Sequence, residues 1–134
     1  MRENIEKISK HLKANEKILF AYLYGSMARE EEREESDIDI AIFLEDPLLA
    51  EDPLFETKLS LKLEKFIGRS VDVRVINFAP LIFVHQVLKH GKLLFSRDEK
   101  IRIGFETTNM DKYFDFLPLM EEYNKKRLER YGIR

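Results

Sequence analysis

The chain has 134 residues, 23 of them basic and 25 acidic for a net charge of −2, and no cysteine. That length is expected to make one domain over residues 1–134, with no room for an appended acceptor-binding domain. Balanced charge argues against direct nucleic-acid binding, which calls for a basic face, and the lack of cysteine excludes disulfides, thiolate catalysis and cysteine–zinc sites. No apolar stretch approaches the roughly 20 residues of a membrane span, and residues 1–17 are amphipathic, not signal-like, so a cytoplasmic location is expected.

Residues 3–14 place Ile5, Ile8 and Leu12 at helical spacing, and Asn15 can close that helix. Residues 17–24 are β-formers throughout. Ile18, Phe20, Tyr22 and Tyr24 fall on one face and Leu19, Ala21 and Leu23 on the other, which predicts a central strand covered on both sides. Gly25 and Ser26 end it. Residues 27–35 are helix formers of alternating charge, so a helix starting near Ser26 would offer backbone N–H groups and a hydroxyl to phosphate oxygens. Arg29 and Arg33 lie four apart and share a face. A solvated surface helix laced with Glu–Arg pairs is the other reading of this stretch.

Residues 37–44 predict a second strand. Side chains two apart in a strand point the same way, so Asp37 and Asp39 share one face while Ile38, Ile40 and Ile42 take the other. Residues 45–53, EDPLLAEDP, read as an acidic loop with two prolines. Asp52 and Pro53 then supply an N-cap and first helical position for a helix carrying Leu54, Phe55, Leu59, Leu63, Phe66 and Ile67, stopped by Gly68. In the next strand Val71, Val73 and Val75 alternate with Asp72 and Arg74. If this strand neighbours the second, Asp72 joins the face of Asp37 and Asp39, although Arg74 could also pair with it locally.

Ala79 and Pro80 open a helix with Leu81, Val84, Val87 and Leu88, ended by Gly91, and residues 92–96 predict a short strand near an edge. From Asp98 the pattern is helical to the end, and Pro118 is expected to kink or break it. This tail carries more aromatic surface than one helical stripe needs, including Tyr113, Phe114, Phe116, Tyr123 and Tyr131. Core packing is expected to explain most of it, and a partner interface is the alternative reading for part of it. His11, His85 and His90 show no ligand spacing and read as ordinary helix residues. The fold class is α/β (α+β), a small mixed sheet with helices packed on one face.

Three carboxylates on one open face repel one another, by on the order of 4 kcal/mol per pair at about 4 Å and an effective dielectric near 20. A cation relieves this. Oxygen ligands without histidine or cysteine indicate a hard ion, Mg²⁺ or Mn²⁺, and such ions bind one or two carboxylates together with substrate phosphates. With Gly25, Ser26 and Arg29 as a phosphate-binding turn, the pattern describes metal-assisted transfer from a nucleoside triphosphate. In a two-metal arrangement Asp37 and Asp39 would bridge both ions, and Asp72 would complete the one nearest the acceptor hydroxyl.

Gly25 and Ser26, ten intervening residues, then Asp37, Ile38 and Asp39, with Asp72 on a later strand, resemble the DNA polymerase β-type nucleotidyltransferase superfamily. More closely, GSMAR followed by SDIDIAIF is similar to the minimal nucleotidyltransferase (MNT) antitoxins paired with HEPN-domain ribonuclease toxins. The resemblance implies transfer of AMP from ATP to a tyrosine of a HEPN toxin, which blocks the toxin, and assembly of the two proteins. It also implies a polymerase β-like fold with Asp37, Asp39 and Asp72 as catalytic metal ligands. One departure stands out: a glycine commonly follows the Ala-Arg pair, and here Glu30 begins an acidic run. Negative charge beside a triphosphate weakens its binding unless those side chains point to solvent. Two other functions fit the same residues: an antitoxin that neutralises its partner by occlusion alone, and a nucleotidyltransferase acting on a small-molecule hydroxyl.

Overall fold

The structure is a computed structural model and describes residues 2–25 and 37–132. Strands β1 (Ile18–Tyr24), β2 (Ile38–Leu44), β3 (Val71–Val75) and β4 (Lys92–Ser96) form one sheet in the order β3-β2-β1-β4. β1 runs antiparallel to β2 and β4, while β2 and β3 are parallel. As expected, β1 is central and β4 lies at an edge. The helices are α1 (Arg2–Lys13), α2 (Pro47–Ala50), α3 (Pro53–Ile67), α4 (Leu81–His90) and α5 (Glu99–Arg130).

Strand alternation divides the core into two layers. Ile38, Ile40 and Ile42 of β2 and the three valines of β3 face α1 and α3, meeting Ile8, Leu12, Leu59 and Leu63. The expected helical layer on one face is this one. The opposite face is covered as well, because Phe20, Tyr22 and Ala41 are apolar there; Val84 and Val87 of α4 and Phe105 of α5 pack over them. That second layer covers only part of its face and leaves the end carrying Asp39 and Asp72 half-open.

Three local expectations change. The strict alternation predicted for β1 fails at its start, where the register with β2 slips between Ile18 and Phe20. The extra residue of this bulge puts Ile18 in the same layer as Ala21 and Leu23, while Leu19 and Phe20 both join the other. The acidic loop contains a helical turn, α2, because Asp46 and Pro47 repeat the cap-and-proline signature of Asp52 and Pro53; the Asp46 carboxylate accepts from the Leu48 N–H at 2.9 Å. Pro118 does not break the last helix, which runs unbroken through it for 32 residues. The missing N–H costs one backbone bond, and the flanking turns supply the rest.

The free edge of β3 is sealed by side chains. The N–H groups of Val71, Val73 and Val75 donate to Glu64, Ser60 and Glu56 of α3, at 3.2, 3.0 and 2.8 Å. Four residues of helix advance about 6 Å and two residues of strand about 6.6 Å, so the two ladders stay in step. This edge is therefore closed to further strand pairing. At the end of the same strands Asn77 donates to the Leu44 carbonyl at 2.8 Å and accepts from the Leu44 N–H at 2.9 Å, tying the residues after β3 to β2.

Candidate active site

Parallel pairing of β2 and β3 sets Asp39 opposite Asp72, and antiparallel pairing of β1 and β2 sets Tyr24 opposite Asp39. Gly25 follows directly, with φ 75°, a left-handed conformation that favours glycine. A Cβ at this position would lie 2.3 Å from Asp39 Oδ2. Only a residue without a side chain lets the turn come this close to the carboxylate. The sheet thus presents Gly25, Asp39 and Asp72 in a row across three adjacent strands.

Asp37 stands exposed just before β2 and lines, together with Asp72, Ser60 and Ser70, a groove of about 380 Å³ beside β3. Burial, then the charges of Asp72 and Asp37, push the Asp39 carboxyl up to about 6, against a lowering pull from Arg74. Burial, then the charges of Asp39 and Asp72, raise the Tyr24 phenol above its ordinary value. Negative potential is therefore strongest around Asp39, the most enclosed member of the set.

Asp72 has a partner of its own. Arg74 Nε donates to Asp72 Oδ2 at 3.3 Å, with both side chains about half exposed. The guanidinium carbon lies 5.7 Å from the centre of the Phe83 ring, and that ring meets Tyr24 edge to face at 5.4 Å. Arg74, Phe83 and Tyr24 thus form a wall around the carboxylates that sequence reasoning did not assemble. The available signal was weak: Arg74 shares a strand face with Asp72, but nothing in the sequence brings the first turn of α4 beside it.

Among the described residues no three His, Asp or Glu side chains stand close enough to hold a metal ion as placed. Asp37 lies outside the strand and Asp72 is drawn to Arg74, so the three carboxylates share a region without closing into a ligand set. Their chemistry still fits a hard divalent cation: the donors are all oxygen, and the repulsion that raises Asp39 is what a cation would relieve. Ser26, Arg29, Arg33 and the acidic stretch 30–35 lie outside the described residues. His11 belongs to α1, His85 and His90 to α4; His85 stacks on Tyr113 with ring centres 3.4 Å apart. No helix among the described residues is long and apolar enough to cross a membrane.

Comparison with known proteins agrees with this arrangement. Residues 6–100 match the family described as polymerase beta, nucleotidyltransferase. Over 97 residues, 72 % of this chain and 68 % of the relative, the sequence is 32 % identical to the protein adenylyltransferase MntA of Shewanella oneidensis. A chain from the crystal structure of the toxin–antitoxin MntA–HepT superposes with a TM-score of 0.75 at 25 % identity, covering 96 % of this chain and 99 % of that one. The fold is also that of a chain in the structure of tri-AMPylated Shewanella oneidensis HEPN toxin in complex with MNT antitoxin, with a TM-score of 0.74 at 24 % identity over 95 % and 98 % of the two chains. The chain belongs to the polymerase β nucleotidyltransferase family and, within it, resembles the MntA antitoxin.

Proposed function

We propose that this protein is an antitoxin that transfers AMP from ATP to a hydroxyl, a tyrosine side chain, of a HEPN-domain ribonuclease toxin with which it assembles. The observation that carries the reading is the row Gly25, Asp39, Asp72, with Asp39 opposite Asp72 in register and Gly25 pressed against Asp39. The names of its relatives supply the acceptor class: a protein adenylyltransferase, and an antitoxin crystallised with its toxin.

Mg²⁺ or Mn²⁺ ions, two in this proposal, would neutralise the triphosphate and the attacking oxygen when held by Asp37, Asp39 and Asp72. Gly25 gives the triphosphate close backbone approach, with Ser26 and Arg29 completing the phosphate turn. Asp39 must be ionised to act as a ligand, so protons compete with the ion at this carboxyl. Asp72, held by Arg74, receives the proton of the acceptor hydroxyl as its oxygen bonds to the α-phosphorus. The bond from that phosphorus to the β-bridging oxygen breaks and pyrophosphate leaves. Positioning and charge neutralisation carry the catalysis.

The test mixes the protein with Mg²⁺, labelled ATP and the HEPN partner and follows label and mass on both proteins. The partner should gain AMP, and the gain should vanish in Asp37→Asn and Asp39→Asn while the complex persists. Silencing of the partner by wild type without transfer of any nucleotide would leave occlusion as the mechanism.

A further inference from the structure

Next to Arg74, two residues along β3 from Asp72, lies a cavity of about 330 Å³ walled by Phe78, Ala79, Pro80 and Phe83, with Arg74 and Glu56 at its polar margin. Two contacts tie it to the carboxylates. Arg74 lines the cavity and bonds to Asp72 at 3.3 Å. Phe83 lines it too and touches Tyr24, the strand partner of Asp39. We infer that this cavity is the acceptor subsite, seating the ring of a phenolic side chain with its hydroxyl directed at Asp72. The inference rests on the transfer reaction proposed above.

The argument comes from the direction of displacement. In an in-line substitution at the α-phosphorus, the nucleophile and the leaving pyrophosphate stand on opposite sides. The phosphate turn at Gly25 closes β1, Asp39 is on β2 and Asp72 on β3, three neighbours in the sheet. Pyrophosphate therefore departs on the Gly25 side, and the acceptor oxygen comes from the side of β3, the strand whose Arg74 both bonds to Asp72 and lines this cavity. Size and character agree. The volume lies within the range of ligand-sized pockets, about 300–1,000 Å³, and has room for one aromatic side chain. Aromatic walls with a cationic edge suit a ring that carries one polar atom: Phe78 and Phe83 offer ring contacts and Arg74 faces the oxygen.

Phe78 is 63 % exposed, so shortening it leaves the core intact. Phe78→Ala should lower kcat/KM for the HEPN partner about tenfold or more through KM, with Phe78→Leu in between. The dissociation constant of a fluorescent ATP analogue with Mg²⁺ should stay within twofold of wild type. Weaker binding of the analogue in Phe78→Ala would mean that the cavity holds the adenine, and unchanged transfer would remove the cavity from the reaction; either overturns the inference. A second measurement does not need catalysis. N-acetyltyrosinamide added to the ¹⁵N-labelled full-length protein should shift the amide of Ala79 and the Nε–H of Arg74, with smaller shifts from N-acetylphenylalaninamide. Shifts elsewhere, or none, overturn the subsite even if AMP transfer is observed. Shifts at these positions with no transfer by wild type would sustain the subsite and sink the transferase reading.

Discussion

Gly25 and Asp39 are packed so closely that a methyl group on the glycine would sit 2.3 Å from a carboxylate oxygen. The contact joins the turn after β1 to the acidic strand. Gly25→Ala introduces both this clash and a left-handed backbone at a residue with a side chain. The expected cost is about 1–3 kcal/mol. Displacement of Asp39 by about 1 Å should lower transfer on the order of 100-fold. Thermal unfolding and a labelled-ATP assay measure the two effects separately, and a variant with wild-type transfer would show that the contact is incidental.

Asp39 gives stability a definite pH dependence. Its carboxyl is pushed up to about 6, so the folded state holds this proton more tightly than the unfolded chain does. The associated stability is fully present below the ordinary carboxylate range near 4 and is lost as pH rises through about 6. Since the group is partly exposed, the effect is discounted to about 1–2 kcal/mol. Asp39→Asn should therefore be more stable than wild type at pH 7.5 and no more stable at pH 4, when denaturant midpoints are compared. Mg²⁺ should raise the melting temperature of wild type at pH 7.5 and that of Asp39→Asn much less.

Asp72 and Arg74 act on the same carboxyl with opposite sign, the first raising and the second lowering its pKa. In ¹³C-detected titrations, Asp72→Asn should move the Asp39 midpoint down and Arg74→Ala should move it up. Stability should change by less than about 1 kcal/mol in Arg74→Ala, because the ion pair is half exposed. Shifts of the same direction in both variants would contradict the charge arrangement.

The seal between α3 and β3 is testable at a single hydroxyl. Ser60→Ala removes the acceptor for the Val73 N–H, bonded at 3.0 Å. A loss of about 1 kcal/mol is expected. Hydrogen exchange should quicken most at the Val73 amide, with the amides of Val71 and Val75 less affected because Glu64 and Glu56 still hold them. Uniform acceleration across the sheet would point to global destabilisation instead.

The second half of α5 contributes little to the core, since residues 121–130 are all exposed. A chain ending after Met120 should keep its urea midpoint, with a change of less than about 0.5 kcal/mol. The exposed Tyr123 and Leu128 then matter for a partner more than for the fold, and complex formation with the proposed HEPN partner is where truncation should be felt.

Local chemistry was legible where one period and one cap decide the outcome. The limits of β3 and β4, the Asp52 cap and the Gly68 stop follow from alternation and end signals within a few residues. The second cap at Asp46 obeys the same rule, but the turn it starts is only four residues long and too short to show a helical period. The bulge in β1 lies beyond such rules: Ile18 to Tyr24 is apolar throughout, so no polar residue marks the slip, and only pairing against β2 reveals it.

The candidate site divides in the same way. Residue types and spacing singled out Gly25, Asp37, Asp39 and Asp72 as candidates, because a glycine turn and aspartates two apart on a strand carry chemical meaning before any fold is known. The sequence could state the condition for Asp72, that its strand neighbour Asp39's, and could not meet it, because strand order is set by how α3 crosses back over the sheet. Tertiary structure alone decided that Asp72 lies opposite Asp39 and that Phe83 packs against Arg74 and Tyr24 beside them. These are contacts between residues far apart in the chain, fixed by packing two layers on one sheet, and no local pattern records them.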